Sequence, residues 1–270
     1  MSQVKEQIKK MTPPGVWNYL REIRDTIGRA GSWPSATFHP WRKDSNQRLI
    51  ALKDIHKGER CFIVGNGPSL KKLDLSRLIR ESTIGMNRFY MAFPELGFTT
   101  TYFLCINDLV SEQCKDDLQT LPVQKFVSWR AHKWLKPAEN LYYLYTTYTG
   151  EKFATDLTGR LWEGATVTYT AMQLAYYLGF QQVILIGVDH NFTTQGKPNT
   201  TIVSHGDDPN HFHPGYFGKG FRWQLPDLET SEKAYRMAKE AFEKTGREII
   251  DATVDGKLRV FRRVNYSDLF

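Results

Sequence analysis

The stretch Cys61-Phe-Ile-Val-Gly-Asn-Gly-Pro-Ser-Leu70 decides the reading of the fold, because an apolar run of strand character breaks abruptly into a turn of small and polar residues. Gly65 and Gly67 are free to take positive φ and to let a ligand approach the backbone. Asn66 and Ser69 add short polar side chains. Pro68 suits the first turn of a helix, whose free amides and dipole attract phosphate. The stretch therefore reads as the floor of a nucleotide site. It is not a Gly-x-Gly-x-x-Gly fingerprint, since Leu70 stands where the third glycine would be, and Gly-x-x-x-x-Gly-Lys-Ser/Thr is absent. The same residues also suit a tight strand-to-helix connection without a ligand.

Two later stretches repeat the pattern, Ser82-Thr-Ile-Gly-Met-Asn-Arg-Phe89 and Thr101-Tyr-Phe-Leu-Cys-Ile-Asn-Asp108. In an open α/β sheet, ligands bind at the carboxyl ends of the strands, so Asn66, Asn87 and Asn107 are expected to line one crevice. An asparagine amide donates and accepts in one plane, which suits a base edge or a ribose hydroxyl. Each of them taken singly is also an ordinary strand terminator.

The chain of 270 residues is long enough for one large α/β domain with appendages. It lacks both an apolar run of membrane-spanning length and a signal-like N-terminus, so a cytoplasmic location is expected, with the inner face of the membrane as a candidate address. Cys61, Cys105 and Cys114 have no metal-ligand spacing and read as small hydrophobes, with no disulfide. The net charge is +7, and residues 1–60 hold 12 Lys/Arg against 6 Asp/Glu, a difference of +6. A basic leading segment suits anionic lipid or an acidic partner, and it argues against a nucleic-acid-binding face on the main domain.

Residues 1–30 read as helix, broken at Thr12-Pro-Pro-Gly15. Val16, Tyr19, Leu20, Ile23 and Ile27 then form an apolar stripe suited to peripheral membrane contact or to docking on the domain. Residues 30–48 read as an irregular linker, so the expected division is a basic N-terminal segment and linker over 1–48 and one catalytic domain over 49–270. From Arg60 strands are predicted near 60–65, 82–86, 100–106, 124–128, 141–145, 183–187 and 248–251. Helices are predicted near 70–80, 108–120, 165–178 and 228–245. This alternation predicts an α/β, Rossmann-like, mostly parallel sheet with helices on both faces. Thr166 and Thr168 open the helix that Gly179 closes, a second place for phosphate or sugar contacts.

Residues 190–227 lack periodicity yet contain Phe192, Phe212, Tyr216, Phe217, Phe221 and Trp223, which argues for an ordered lid or acceptor loop. The loop also gathers His190, His205, His211 and His213. Asn210-His211-Phe212-His213 is the sharpest candidate for a general base, with Tyr216, Lys219 and Arg222 available to a departing phosphate. His211 and His213 with Asp189, Asp207 or Asp208 are the rival metal ligands, although no recognised zinc spacing is present. Surface or hydrogen-bonded histidine is the plain alternative.

Gly65-Asn-Gly-Pro-Ser-Leu70, Asn87-Arg-Phe89, Asn107, and Thr166 through Gly179 to Ile184-Leu-Ile-Gly-Val-Asp189 resemble the bacterial sialyltransferases that decorate lipooligosaccharide. They equally resemble the broader group named after the archaeal 6-hydroxymethylpterin diphosphokinase, which also includes flagellin glycosylation factors. The resemblance covers residues 60–250 and is closest, over the whole chain, to the latter group. The sialyltransferase likeness implies a single domain of modified glycosyltransferase-A type, a CMP-activated donor and inversion at the anomeric carbon. It also implies that Asn66, Ser69, Asn87, Asn107 and Thr166 contact the nucleotide and that His211 is the base. Two departures accompany it: His190-Asn191 follow Asp189 where that family has phosphate-contacting tyrosines, and Gly164 replaces its arginine.

The leading expectation is an inverting glycosyltransferase of cell-surface glycan synthesis, with a nucleotide-sugar donor, a glycan or lipid-linked acceptor and no required cofactor. Its catalytic residues are His211, Tyr216 and His213. Gly65, Asn66, Gly67, Ser69, Asn87, Asn107, Thr166 and Asp189 hold the nucleotide, and an oligomer is compatible with it. The alternatives are a diphosphokinase, with Mg²⁺ held by Asp108 or Asp189 and ATP as donor, and a noncatalytic nucleotide-sugar or glycan-binding protein.

Overall fold

Apolar segments of four to seven residues build most of a nine-stranded sheet whose pairings are all parallel. The computed structural model describes residues 13–148, 152–194 and 196–270. Its strands are β1 (Arg60–Val64), β2 (Ser82–Met86), β3 (Tyr102–Cys105), β4 (Gln124–Ser128), β5 (Leu141–Thr147), β6 (Arg160–Trp162), β7 (Gln182–Ile186), β8 (Thr201–Val203), β9 (Arg222–Gln224), β10 (Glu248–Asp251) and β11 (Arg262–Arg263). The order in the main sheet is β11-β10-β7-β1-β2-β3-β4-β5-β6, and β8 and β9 form a separate antiparallel pair. The chain steps outward from β1 to β6, then returns to add β7 on the other side of β1. The strand order therefore reverses between β1 and β7, the place where an open sheet leaves a crevice at its carboxyl edge.

The helices are α1 (Pro14–Ala30), α2 (Trp33–Phe38), α3 (Pro40–Ile50), α4 (Phe93–Leu96), α5 (Asp108–Gln113), α6 (Lys115–Thr120), α7 (Val167–Leu178) and α8 (Leu228–Glu243). Strand residues alternate between faces, so Cys61 and Ile63 join one core with α7 and α8. Phe62 and Val64 join another with Val110 of α5 and Leu118 of α6. Helix α7 is buried nearly all round, being packed between the sheet and α8. Thr166 caps its start by accepting the Thr168 N–H, and Gly179 ends it at φ 98°. The expected Rossmann-like α/β sheet is the observed one.

Several local expectations are corrected. Residues 30–48 are not an irregular linker: Pro40 opens α3, with the His39 ring accepting the Trp41 N–H, and Arg42, Ser45 and Leu49 are buried. The helix expected over 70–80 is two short 3-10 segments, Pro68–Lys72 and Leu75–Arg80, divided where Asp74 caps the Ser76 N–H. The helix over 108–120 is broken at Cys114 into α5 and α6. Residues 1–12, whose helix was expected from the sequence, lie outside the described residues. Among the described residues no helix is long and apolar enough to cross a membrane, and the three cysteines are buried free thiols.

Candidate functional site

The β1 and β7 loops are knitted together at the point of strand-order reversal. Gly65 N–H donates to the Ile186 carbonyl at 2.8 Å and Gly67 N–H to the Gly187 carbonyl at 2.9 Å. Asp189 then accepts from the Ser69 hydroxyl at 2.6 Å and the Ser69 amide at 3.1 Å. Neither Gly65 nor Gly67 has positive φ, so the expected conformational reason for them is wrong. They are glycines because a Cβ at Gly65 would run into the Gly187 backbone, and one at Gly67 into the Asp189 carboxylate. The expected phosphate cradle at Gly67 is also corrected: its amide and that of Ser69 are engaged internally, and the segment after Pro68 is too short for a helix dipole.

Above this floor lies a cavity of about 250 Å³. Gly65, Asn66, Gly67, Asn87, Asn107, Thr166, Asp189, His211 and Tyr216 all line it, so one cavity gathers nine of the residues expected from sequence. Ser69 stands behind Asp189 as its hydrogen-bond donor. His213 is outside the lining, with its Nδ1 accepting the Gly215 N–H at 3.0 Å.

The three asparagines differ in their commitments. Asn107 caps α5, accepting the amides of Leu109 and Val110. Asn66 donates its Nδ2 to the Met86 carbonyl at 3.2 Å, but its Oδ1 is buried without a partner, as is the Oδ1 of Asn87. Asn87 (φ 53°), Ala165 (φ 57°) and His190 (φ 52°) line the same cavity in the left-handed region. Orphaned buried acceptors and strained backbone both cost stability, and unmet acceptors on cavity-lining residues are available to a ligand's hydrogen-bond donors.

The long loop crosses the cavity and is pinned to it. The Phe212 amide donates to the Asn66 carbonyl at 2.8 Å. Arg88, just after β2, donates its guanidinium to the Gly215 and Tyr216 carbonyls. His211 Nδ1 is 2.7 Å from Asp208 Oδ2, and its ring stacks on Tyr216 with centroids 4.1 Å apart. A carboxylate only accepts, so Nδ1 donates to Asp208, and in the neutral ring Nε2 is then the acceptor. Asp208 is itself fixed by the amides of Asn210 and Phe217. Tyr216 is buried, its phenol pushed up by that burial and therefore protonated, and its oxygen accepts the Arg88 N–H at 3.3 Å.

Sequence reasoning missed the opposite wall. Glu163 and Tyr148 line the cavity, and Arg130 bonds to both, at 2.8 Å and 2.7 Å, while its Nε lies 2.9 Å from both oxygens of Asp108. Burial pushes the Glu163 carboxyl up against the opposing pull of Arg130. Burial likewise raises Asp189, against its two Ser69 bonds. The Asp208–His211 spacing of three residues was a readable signal; the Arg130–Glu163 pair, from distant segments, had none. Among the described residues no group of three His, Cys, Asp or Glu could hold a metal ion. The two aspartates considered for Mg²⁺ are already engaged, Asp108 by Arg130 and Asp189 by Ser69.

Among solved structures, the MAf glycosyltransferase from Magnetospirillum magneticum AMB-1 matches with a TM-score of 0.51 at 14% identity, over 85% of this chain and 39% of that one. The protein thus spans well under half of that longer chain, and the likeness is one of fold. A mammalian sialyltransferase, solved with Gal-beta-1-3GalNAc-ortho-nitrophenol, gives a TM-score of 0.33 at 12% identity, over 80% of each chain. No curated protein sequence matches. A family model described as 6-hydroxymethylpterin diphosphokinase MptE-like matches residues 42–195, which takes in the β1 and β7 loops and the asparagines at the ends of β1, β2 and β3. The chain therefore belongs to the MptE-like family.

Proposed function

We propose that the protein transfers a group from a nucleotide-activated donor to an acceptor hydroxyl, as an inverting glycosyltransferase with His211 as general base. The observation that carries this reading is the Asp208–His211 pair, set over the same cavity as the unpartnered Oδ1 atoms of Asn66 and Asn87. In this mechanism Asn66 and Asn87 accept from the nucleoside, and Thr166 and the positive end of α7 meet the phosphate. His211 Nε2 takes the acceptor proton as the hydroxyl oxygen attacks the anomeric carbon from the face opposite the phosphate. The bond from that carbon to the phosphate oxygen breaks, and the nucleotide leaves with its electron pair. Asp208 holds the ring and stabilises the imidazolium. The donor in this reading is a CMP-linked sugar acid and the acceptor a cell-surface glycan or its lipid-linked precursor. The enzyme works on the cytoplasmic side with its basic leading segment near the membrane, and its catalytic domain takes in the packed helix α3 together with the rest of residues 49–270.

A second reading, transfer of diphosphate from ATP to a hydroxymethyl group with Mg²⁺ on the phosphates, is favoured by the description of the family model. His211 would serve it equally, since a hydroxyl must be deprotonated in both. Thermal-shift titration with CMP, CDP, UDP, GDP, ATP and AMP, with and without Mg²⁺, separates the two. A ligand at about 100-fold its dissociation constant adds about 2.7 kcal/mol to native stability. Stabilisation by CMP without metal supports sugar transfer, and a preference for ATP or AMP with Mg²⁺ transfers the assignment to the diphosphokinase. His211→Ala is expected to abolish turnover while sparing donor binding; retained turnover removes His211 as base.

A further inference from the structure

A second cavity, of about 550 Å³, shares no lining residue with the first. It lies where the ends of α1 and α2 and one face of α3 meet the segment leading into β6. Its size is that of a small-molecule site. Arg42 and Asn46, one turn apart on α3 and so on the same face, form its polar wall. Arg42 is 1% exposed. Its Nη2 donates to the carbonyls of Thr158 at 2.9 Å and Gly159 at 3.3 Å, yet Nε and Nη1 have no partner, and neither has Asn46 Oδ1. Burial lowers the Arg42 pKa to about 10, with Asp156 opposing, so the side chain is a cation at neutral pH.

A buried cation is tolerated when its charge and donors are met. Here two donors and one acceptor are unpartnered on residues that line the cavity, and their complement is an anion that also carries a hydroxyl. The half-exposed Trp33 indole at the rim offers a flat apolar surface to such a ligand. We propose that this cavity binds a small hydroxylated anion, a phosphate monoester or a sugar acid, with the anion on Arg42 and a hydroxyl on Asn46 Oδ1. Such a group reaches the cavity either free in solution or as the head of a lipid. The second route has a structural basis, because Thr26 and Ala30 of the cavity wall adjoin the exposed apolar stripe of Val16, Leu20, Ile23 and Ile27 on α1.

The test is calorimetric titration of the full chain with glycerol 3-phosphate and with glucuronate, alongside co-sedimentation with phosphatidylglycerol and phosphatidylcholine vesicles. Each is run on wild type, Asn46→Asp and Arg42→Gln. Asn46→Asp keeps the shape of a half-buried side chain while setting a carboxylate against the anion, so it remains informative even where Arg42→Gln fails to fold. Wild type is expected to bind one of the soluble probes or the phosphatidylglycerol vesicles, and Asn46→Asp to weaken that binding at least about tenfold. Loss confined to the soluble probes identifies a free ligand; loss of phosphatidylglycerol sedimentation identifies a lipid head group. Absence of binding in every arm, or binding unchanged in Asn46→Asp, overturns the proposal.

Discussion

Asn87 combines a left-handed backbone, at φ 53°, with a buried side-chain oxygen that has no partner, two costs at one residue. If that oxygen serves a ligand, Asn87→Gly removes both costs and the contact together. The unfolding midpoint in urea is expected to stay level or rise by the equivalent of about 1 kcal/mol, while nucleotide affinity falls by about 1–3 kcal/mol. Unchanged affinity would leave Asn87 a turn residue only. Asp208 bonds to His211 and does not line the cavity, so in the proposed mechanism it is a positioning residue. Asp208→Asn is expected to lower kcat about 10²-fold or more with donor KM little changed, and a change confined to KM would contradict that role. At this scale the sequence was legible where the signal lies within a few residues. The strand-end asparagines and His211 are read from the sequence and Asp208 only as a rival metal ligand, whereas the Arg130–Glu163 pair joins segments 33 residues apart and is not read at all.

Elements decide what the glycines do. Gly67 is required by the closeness of the β1 and β7 loops, not by a turn, so Gly67→Ala forces its methyl into the Asp189 carboxylate. This variant is expected to lose about 1–3 kcal/mol in urea unfolding and with it the pairing of Ser69 to Asp189; a wild-type midpoint would show that the loops part freely. The loop over 190–227 owes its order to borrowed partners, the Asn66 carbonyl and the Arg88 guanidinium, more than to its short β8–β9 pair. Arg88→Ala should speed amide exchange across the loop around His211 while leaving the sheet protected, and unaltered exchange there would refute the pinning. Aromatic content made the order of this loop legible, but its docking point was invisible because both partners lie in the loops that follow β1 and β2, far back in the chain.

For the whole molecule, the reversal of strand order between β1 and β7 brings Asp189 into the protein, and its burial raises its pKa. A carboxyl whose folded pKa lies above its unfolded value favours the native state below the unfolded pKa, and that contribution is lost as pH rises through the folded pKa. Asp189→Asn is therefore expected to gain stability relative to wild type as urea unfolding is measured from about pH 4 to about pH 7. A difference that is flat, or falls, would mean that the Ser69 bonds outweigh burial.

Local pattern alone determined the strand–helix alternation, the parallel sheet, the cap and stop of α7, and the residues at the strand ends, because periodicity and capping act within a few residues. It also determined the family likeness, whose matched region ends at residue 195, before His211. Tertiary structure alone decided that β7 returns beside β1, that Phe212 docks on the Asn66 carbonyl, that Gly67 faces Asp189, and that Arg42 is buried on a helix where the sequence predicts a linker. The physical reason is that burial and hydrogen-bond satisfaction depend on which distant segment fills the neighbouring space, and no local stretch carries that information.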